Sequence, residues 1–183
     1  MVMIDLITGF LGSGKTTFLK KYAEYLMDQG LHIGILENDF GAINVDMLML
    51  HELRGDQCEL EMIAGGCDAE SHRRRFRTKL ISMRMCGYDR VLVEPSGIYD
   101  VDEFFDVLRE EPLDQWYEIG NVIAILDARL EKNLSQQADY LLASEAANAG
   151  KVILSHADAA TREQCEDTVA HPVSYTHLTL PTN

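Results

Sequence analysis

The chain has 183 residues, long enough for one domain with a substantial buried core and too short to expect two. Hydrophobic residues make up 46% and charged residues 25%, the balance of an ordinary globular domain, which argues against disorder along the whole chain. Sixteen Lys and Arg stand against 30 Asp and Glu, and the resulting net charge of -14 repels nucleic acid and anionic lipid.

No apolar run approaches bilayer-spanning length, and the N-terminus lacks the basic, apolar and small-residue segments of a signal peptide. A cytoplasmic protein is therefore expected, with no membrane and no nucleic-acid partner. The four cysteines, Cys58, Cys67, Cys86 and Cys165, follow no repeated spacing, and no structural disulfide is expected.

In chain order, Met3-Ile4-Asp5-Leu6-Ile7 reads as a buried strand bounded by Thr8-Gly9. From Lys15 to about Asp28, Phe18, Leu19, Tyr22 and Leu26 recur at helical spacing, and Gly30 follows as a stop. A second strand, Leu31 to Leu36, ends at Glu37-Asn38-Asp39-Phe40-Gly41 and completes a βαβ unit. Further strands are expected over Cys58 to Ile63, Arg90 to Glu94, Asn121 to Asp127 and Lys151 to Leu154, with helices near 69–85, 101–109 and 136–148. This alternation predicts an α/β fold whose mostly parallel sheet carries helices on both faces, with binding at the carboxyl ends of the strands.

Residues 1–171 are expected to form the domain. The stretch 172–183 lacks charge and amphipathic period and reads as a tail outside it. It is similar to adapter-derived sequence at the end of a truncated gene, which would leave the domain incomplete; an extended C-terminal peptide is the alternative.

Residues 9–17, GFLGSGKTT, contain the whole pattern G-x-x-x-x-G-K-S/T between a predicted strand and a predicted helix. Gly9, Gly12 and Gly14 let the backbone approach closely, so that N–H groups of the loop, Ser13 included, turn toward phosphate oxygens. Lys15 adds a point charge on the β- and γ-phosphates, and the helix beginning there adds its N-terminal partial charge, with Thr17 in the same first turn. The Thr16 hydroxyl suits Mg²⁺, a metal that prefers oxygen and keeps several waters. A second magnesium ligand, a carboxylate, is expected at Glu94, after the apolar run Val91-Leu92-Val93, and Gly97 offers a backbone N–H to a γ-phosphate.

GFLGSGKTT, then ENDFG at 37–41 followed by Asp46, then Gly65-Gly66-Cys67, then LVEPSG at 92–97 and AILDA at 124–128 together resemble the CobW/HypB/UreG family of GTPases and metallochaperones, above all its CobW-like branch. The resemblance runs in order from residue 3 to about residue 160. It implies a three-layer P-loop fold of the SIMIBI class that binds GTP and Mg²⁺ and couples slow hydrolysis to delivery of a metal ion, zinc or cobalt, to a client protein. It also implies a switch region from Asp39 to Asp46, with Asp39 as the residue that orients water beside Lys15 and Glu94. The partners implied are the nucleotide, a metalloprotein client and a second copy of the chain in a homodimer.

Two places depart from the family's pattern. Its metal motif Gly-Cys-x-Cys-Cys reads here Gly66-Cys67-Asp68-Ala69-Glu70, so a single motif cysteine is kept. Cys67 is then either one ligand of a mixed site with Glu70 and His72 for a transition metal such as Zn²⁺, or a buried thiol packed as a small hydrophobe. The base-reading motif Asn-Lys-x-Asp reads Ser155-His156-Ala157-Asp158. Asp158 can still accept from a guanine, whereas the Asn and the Lys whose stem packs on the base are replaced.

Two other readings compete with GTP hydrolysis: a nucleotide-dependent switch without useful turnover, and a P-loop kinase for a small molecule. The run Arg73-Arg74-Arg75-Phe76-Arg77 is read as the solvated side of a helix whose other face carries Phe76, Leu80 and Met83. The methionines at 47, 49, 83 and 85 are expected to fill the core. Asp127 either approaches the nucleotide or ends its strand.

Overall fold

The computed structural model describes residues 1–39, 45–64, 69–95, 101–130 and 134–179, with side chains for all of these but 38–39, 45–47, 64, 69 and 172–179. The strands are β1 (Val2–Thr8), β2 (Ile33–Asp39), β3 (Cys58–Ala64), β4 (Arg90–Pro95), β5 (Tyr117–Asp127) and β6 (Lys151–Ser155). The helices are α1 (Lys15–Asp28), α2 (Val45–Leu50), α3 (Ala69–Arg84), α4 (Val101–Leu108), α5 (Leu113–Trp116), α6 (Gln136–Asn148) and α7 (Arg162–Thr179). All strand pairs are parallel, in the order β3-β2-β4-β1-β5-β6. From β1 the chain winds toward β3 on one side and later toward β6 on the other. The carboxyl end of β1 therefore lies at a topological switch point, where open α/β sheets bind ligands.

The period of two in the strands sorts side chains between two cores. Ile4 and Leu6 of β1, Leu36 of β2, and Val91 and Val93 of β4 pack with Phe76, Leu80 and Met83 of α3 and Phe104 of α4. Ile7, Ile33, Ile35 and Leu92 face the opposite way, against Leu19, Ala23 and Leu26 of α1 and Leu50 of α2. The same alternation carries Glu37 and Glu94 onto the α1 face at the ends of β2 and β4.

One buried charge sits among the apolar residues of β1. Asp5 is fully buried and accepts from Arg90 Nη1 at 2.6 and 2.9 Å, from the Tyr22 hydroxyl at 2.8 Å and from the Asn121 N–H at 2.7 Å. The β1–β5 register shifts between Ile4 and Leu6, at this residue. Gly120 makes room for it, since a Cβ there would stand 2.2 Å from Asp5 Oδ1.

Several elements differ from the sequence reading. β2 starts at Ile33 rather than Leu31, because the His32 N–H is taken by the Asp89 carboxylate at 2.8 Å, and it continues through Asp39 alongside β3. β5 begins at Tyr117, four residues before the expected Asn121, in a half-polar stretch paired to β1. α7, Arg162–Thr179, is not among the expected helices. The methionines do not all fill the core: Met83 is buried, whereas Met49 is 45% and Met85 82% exposed. Met85 lies past the last residue of α3, and the side chain of Met47 is outside the described residues. The arginine run behaves as expected, Phe76 turning inward while Arg73 and Arg77 pair with Glu110 at 2.6 and 3.0 Å.

Candidate functional site

The loop between β1 and α1 begins with a steric requirement. Gly9 has φ 148°, and a Cβ added to it would stand 2.3 Å from the Ile125 carbonyl oxygen of β5, so a side chain cannot pass here. Gly14 takes the left-handed conformation at φ 88°, ψ 22° and starts α1 with no side-chain cap, leaving the first N–H groups of the helix to a ligand. Lys15 is buried and its Nζ donates to the Phe10 carbonyl at 3.3 Å, folding back over the loop. Ser13 Oγ is buried without a hydrogen-bond partner. An ammonium, an unanswered hydroxyl and the uncapped start of a helix on a glycine loop are suited to phosphate oxygens, whereas the Ser13 N–H, expected among the donors, meets the Phe10 carbonyl at 3.1 Å.

Thr16 Oγ1 donates to Glu94 Oε1 at 2.8 Å, and both residues are buried. Glu37 is also buried, and its Cα is the register partner of Glu94 in the β2–β4 ladder. A hydroxyl and two neighbouring carboxylates form a hard-oxygen set that fits Mg²⁺ and would suit a soft ion poorly. Glu37 was not singled out from sequence. Its signal is the pleat: counting in twos from Ile33 and Ile35 puts it on the α1 face beside Glu94.

The carboxyl ends of β5 and β6 form the other wall. A Cβ on Gly14 would lie 3.6 Å from Ser155 Cβ, so the Ser155-His156-Ala157-Asp158 segment abuts the loop. His156 adopts a positive φ of 52°, and its Nδ1 lies 3.1 Å from Asp127 Oδ2. Arg129 closes on the same carboxylate through its backbone N–H at 2.9 Å, its Nε at 3.1 Å and its Nη2 at 3.0 Å. The Arg129 guanidinium, with its N–H and His156, holds Asp127 below the usual carboxylate range. Asp127 thus ends its strand and anchors His156. Asp158 is exposed at the rim.

Glu145 of α6 was also missed from sequence. It is buried, and its Oε1 accepts from Thr8 Oγ1 at 3.1 Å, at the last residue before the loop. Nothing in a helix of mixed composition marks which of its acids points inward.

Of the other expected site residues, Thr16 is brought against Glu94, and Gly9, Gly12, Ser13, Gly14, Lys15 and Thr17 are its neighbours in the loop and first turn of α1. Gly97, Cys67 and the side chain of Asp39 lie outside the described residues. His72, weighed as a metal ligand, is buried and turns Nδ1 toward Glu103 of α4 at 3.3 Å, while Glu70 is exposed. Among the described residues, no group of three His, Cys, Asp or Glu is placed to hold a metal ion. Nor is any described helix long and apolar enough to cross a membrane.

Compared with known proteins, residues 3–176 match the nucleotide-binding domain of CobW/HypB/UreG. The chain belongs to this family. It is 31% identical over 157 residues to the zinc chaperone YeiR of Escherichia coli K12, covering 82% of this chain and 47% of YeiR. To the zinc chaperone YjiA of the same organism it is 29% identical over 172 residues, covering 87% of this chain and 50% of YjiA. The chain thus spans about half the length of these curated relatives. In three dimensions it resembles Zn(II)-bound YjiA GTPase from E. coli, with a TM-score of 0.57 at 21% identity over 94% of this chain and 54% of that one. It also resembles the signal recognition particle receptor FtsY from Elizabethkingia anophelis in complex with GDP, with a TM-score of 0.62 at 19% identity over 93% of this chain and 54% of that one. These similarities identify the fold as that of P-loop GTPases.

Proposed function

We propose that this CobW-family domain binds GTP with Mg²⁺ at residues 9–17 and hydrolyses it slowly, as the nucleotide-driven half of a metallochaperone. The observation that carries the reading is the buried Thr16–Glu94 pair beside the glycine loop, a magnesium-type donor set next to a phosphate-type cradle. When bound, Mg²⁺ would supply neutralisation of phosphate charge. Lys15 and the loop N–H groups bind and orient those phosphates. Asp39 is the residue assigned to orient water, and Gly97 to meet the γ-phosphate. Asp158 would accept from guanine.

The names of YeiR and YjiA support zinc as the cargo, with cobalt the other ion considered, and a metalloprotein as the client. With Cys67 the single cysteine of its motif, zinc is expected to bind weakly. Titration against a competing chelator checks this, and nanomolar affinity lost in Cys67→Ala would contradict it. Residues 1–171 are the domain in this reading and 172–183 a tail. A cytoplasmic location and self-association as a homodimer complete it.

Single-turnover phosphate release from GTP, with Lys15→Ala as control, tests the hydrolytic step. Release that falls about 100-fold or more in the variant supports the enzyme. Tight GTP binding with no release supports instead a switch without turnover, the reading favoured by the altered Ser155-His156-Ala157-Asp158 segment. Phosphate transfer from ATP to a small molecule would establish a kinase.

A further inference from the structure

The most unusual charge in the described residues lies behind the loop rather than in it. Glu145 is 1% exposed; one oxygen accepts from the Thr8 hydroxyl, and the other, Oε2, is buried with no hydrogen-bond partner. The acid comes from α6, while Thr8 ends β1 and leads into Gly9, so this contact fastens the helix to the origin of the glycine loop. A buried carboxyl with one unanswered oxygen is costly as an anion and cheap as an acid.

We propose that Glu145 is a positioning residue of the phosphate loop whose protonation is coupled to nucleotide binding, so that the chain takes up a proton as the triphosphate docks. The proposal rests on the nucleotide reading of residues 9–17. Burial drives the Glu145 carboxyl up to about 7, against the Thr8 hydroxyl, the Lys15 ammonium and the Gly9 N–H, which favour the anion. Phosphates would engage Lys15 and the Gly9 end of the loop, withdrawing two of the three influences that favour the carboxylate, and would bring negative charge close to it. Both changes favour the protonated acid.

The charged groups on neighbouring elements do not compete for this role. On β5, Asp127 closes on Arg129 and His156. On α7, His171 Nε2 lies 2.9 Å from Asp139 of α6. Asp102 and Asp106 of α4 and Arg109 just after it line a cleft with Asn148, and Arg109 pairs with Asp106 at 3.5 Å. Lys15 is the charge that acts on Glu145.

The test is calorimetric titration of the chain with Mg²⁺ and the hydrolysis-resistant analogue GMPPNP, from pH 6 to 8.5, in pairs of buffers of different ionisation enthalpy. Wild-type chain is expected to take up a fraction of a proton near pH 7 to 8 beyond that taken up by Glu145→Gln, in which the side chain is always neutral. Its affinity is expected to fall with pH about five- to tenfold more steeply than that of the variant, given that one pH unit is tenfold in protonation. Ionisation of the nucleotide is common to both proteins and cancels. Thr8→Val gives a second arm that does not depend on the first variant folding: without the hydroxyl that favours the anion, the inflection moves to higher pH. Equal pH profiles for wild type and Glu145→Gln, or an unmoved inflection in Thr8→Val, overturn the proposal while leaving nucleotide binding intact. Absence of binding at every pH overturns the nucleotide reading and this proposal with it.

Discussion

Thr16 Oγ1 and Glu94 Oε1 meet at 2.8 Å inside the protein, joining the first turn of α1 to the end of β4 across 78 residues of sequence. In the proposed site these two residues would hold Mg²⁺ through hard oxygen donors. Thr16→Ala is expected to raise the Mg²⁺ concentration needed for GTP binding by about 10- to 100-fold, the range for lost metal-site partners. Binding of a fluorescent GTP analogue as a function of Mg²⁺ measures this. An unchanged midpoint would place the metal elsewhere.

Asp5 should matter for stability and little for nucleotide binding. Its carboxylate answers Arg90, Tyr22 and the Asn121 N–H at the middle residue of β1. Asp5→Ala leaves the Arg90 guanidinium without its buried counter-charge and is expected to cost about 3–5 kcal/mol, as breaking one side of a buried ion pair does. Urea unfolding, read with Asp5→Asn as the milder change, checks the figure. A loss below about 1 kcal/mol would show that water replaces the carboxylate.

Glu145 also sets a pH dependence of folding in the absence of nucleotide. Its pKa is raised from 4.5 in the unfolded chain to about 7 in the folded one, so the folded state holds the proton more tightly. The stability tied to that proton is fully present below 4.5 and is lost as pH rises through about 7. Glu145→Gln should therefore be more stable than wild type at pH 8, by an amount on the order of 2–3 kcal/mol. Denaturant unfolding at pH 5 and pH 8 measures the difference, and a variant no more stable at pH 8 than at pH 5, relative to wild type, would refute it.

The proposed phosphate site is legible in the sequence because its requirements are local. Gly9, Gly14, Lys15 and Thr16 sit next to one another in the chain, and the strand before and helix after them follow from short-range apolar spacing. Glu94 was legible as the acid ending an apolar strand. Glu37 and Glu145 were not, because their importance lies in register and in which face of α6 points inward, both decided by distant partners. Asp5 looked like a polar interruption of an apolar run, since the Arg90 and Asn121 that answer it are 85 and 116 residues away. The early start of β5 was hidden for a related reason: Tyr117 to Gly120 are held by pairing to β1 rather than by their own hydrophobicity.

The proposed activity is binding of GTP with Mg²⁺ at residues 9–17, with Asp158 supplying the preference over ATP. Equilibrium titration of GTP and ATP, each with and without Mg²⁺, on wild type and on Lys15→Ala tests it most directly. Mg²⁺-dependent binding at least about tenfold tighter for GTP, the worth of a single guanine-reading carboxylate, is expected, and it is lost in the variant. Equal affinity for the two nucleotides, or GTP binding undiminished in Lys15→Ala, would contradict it.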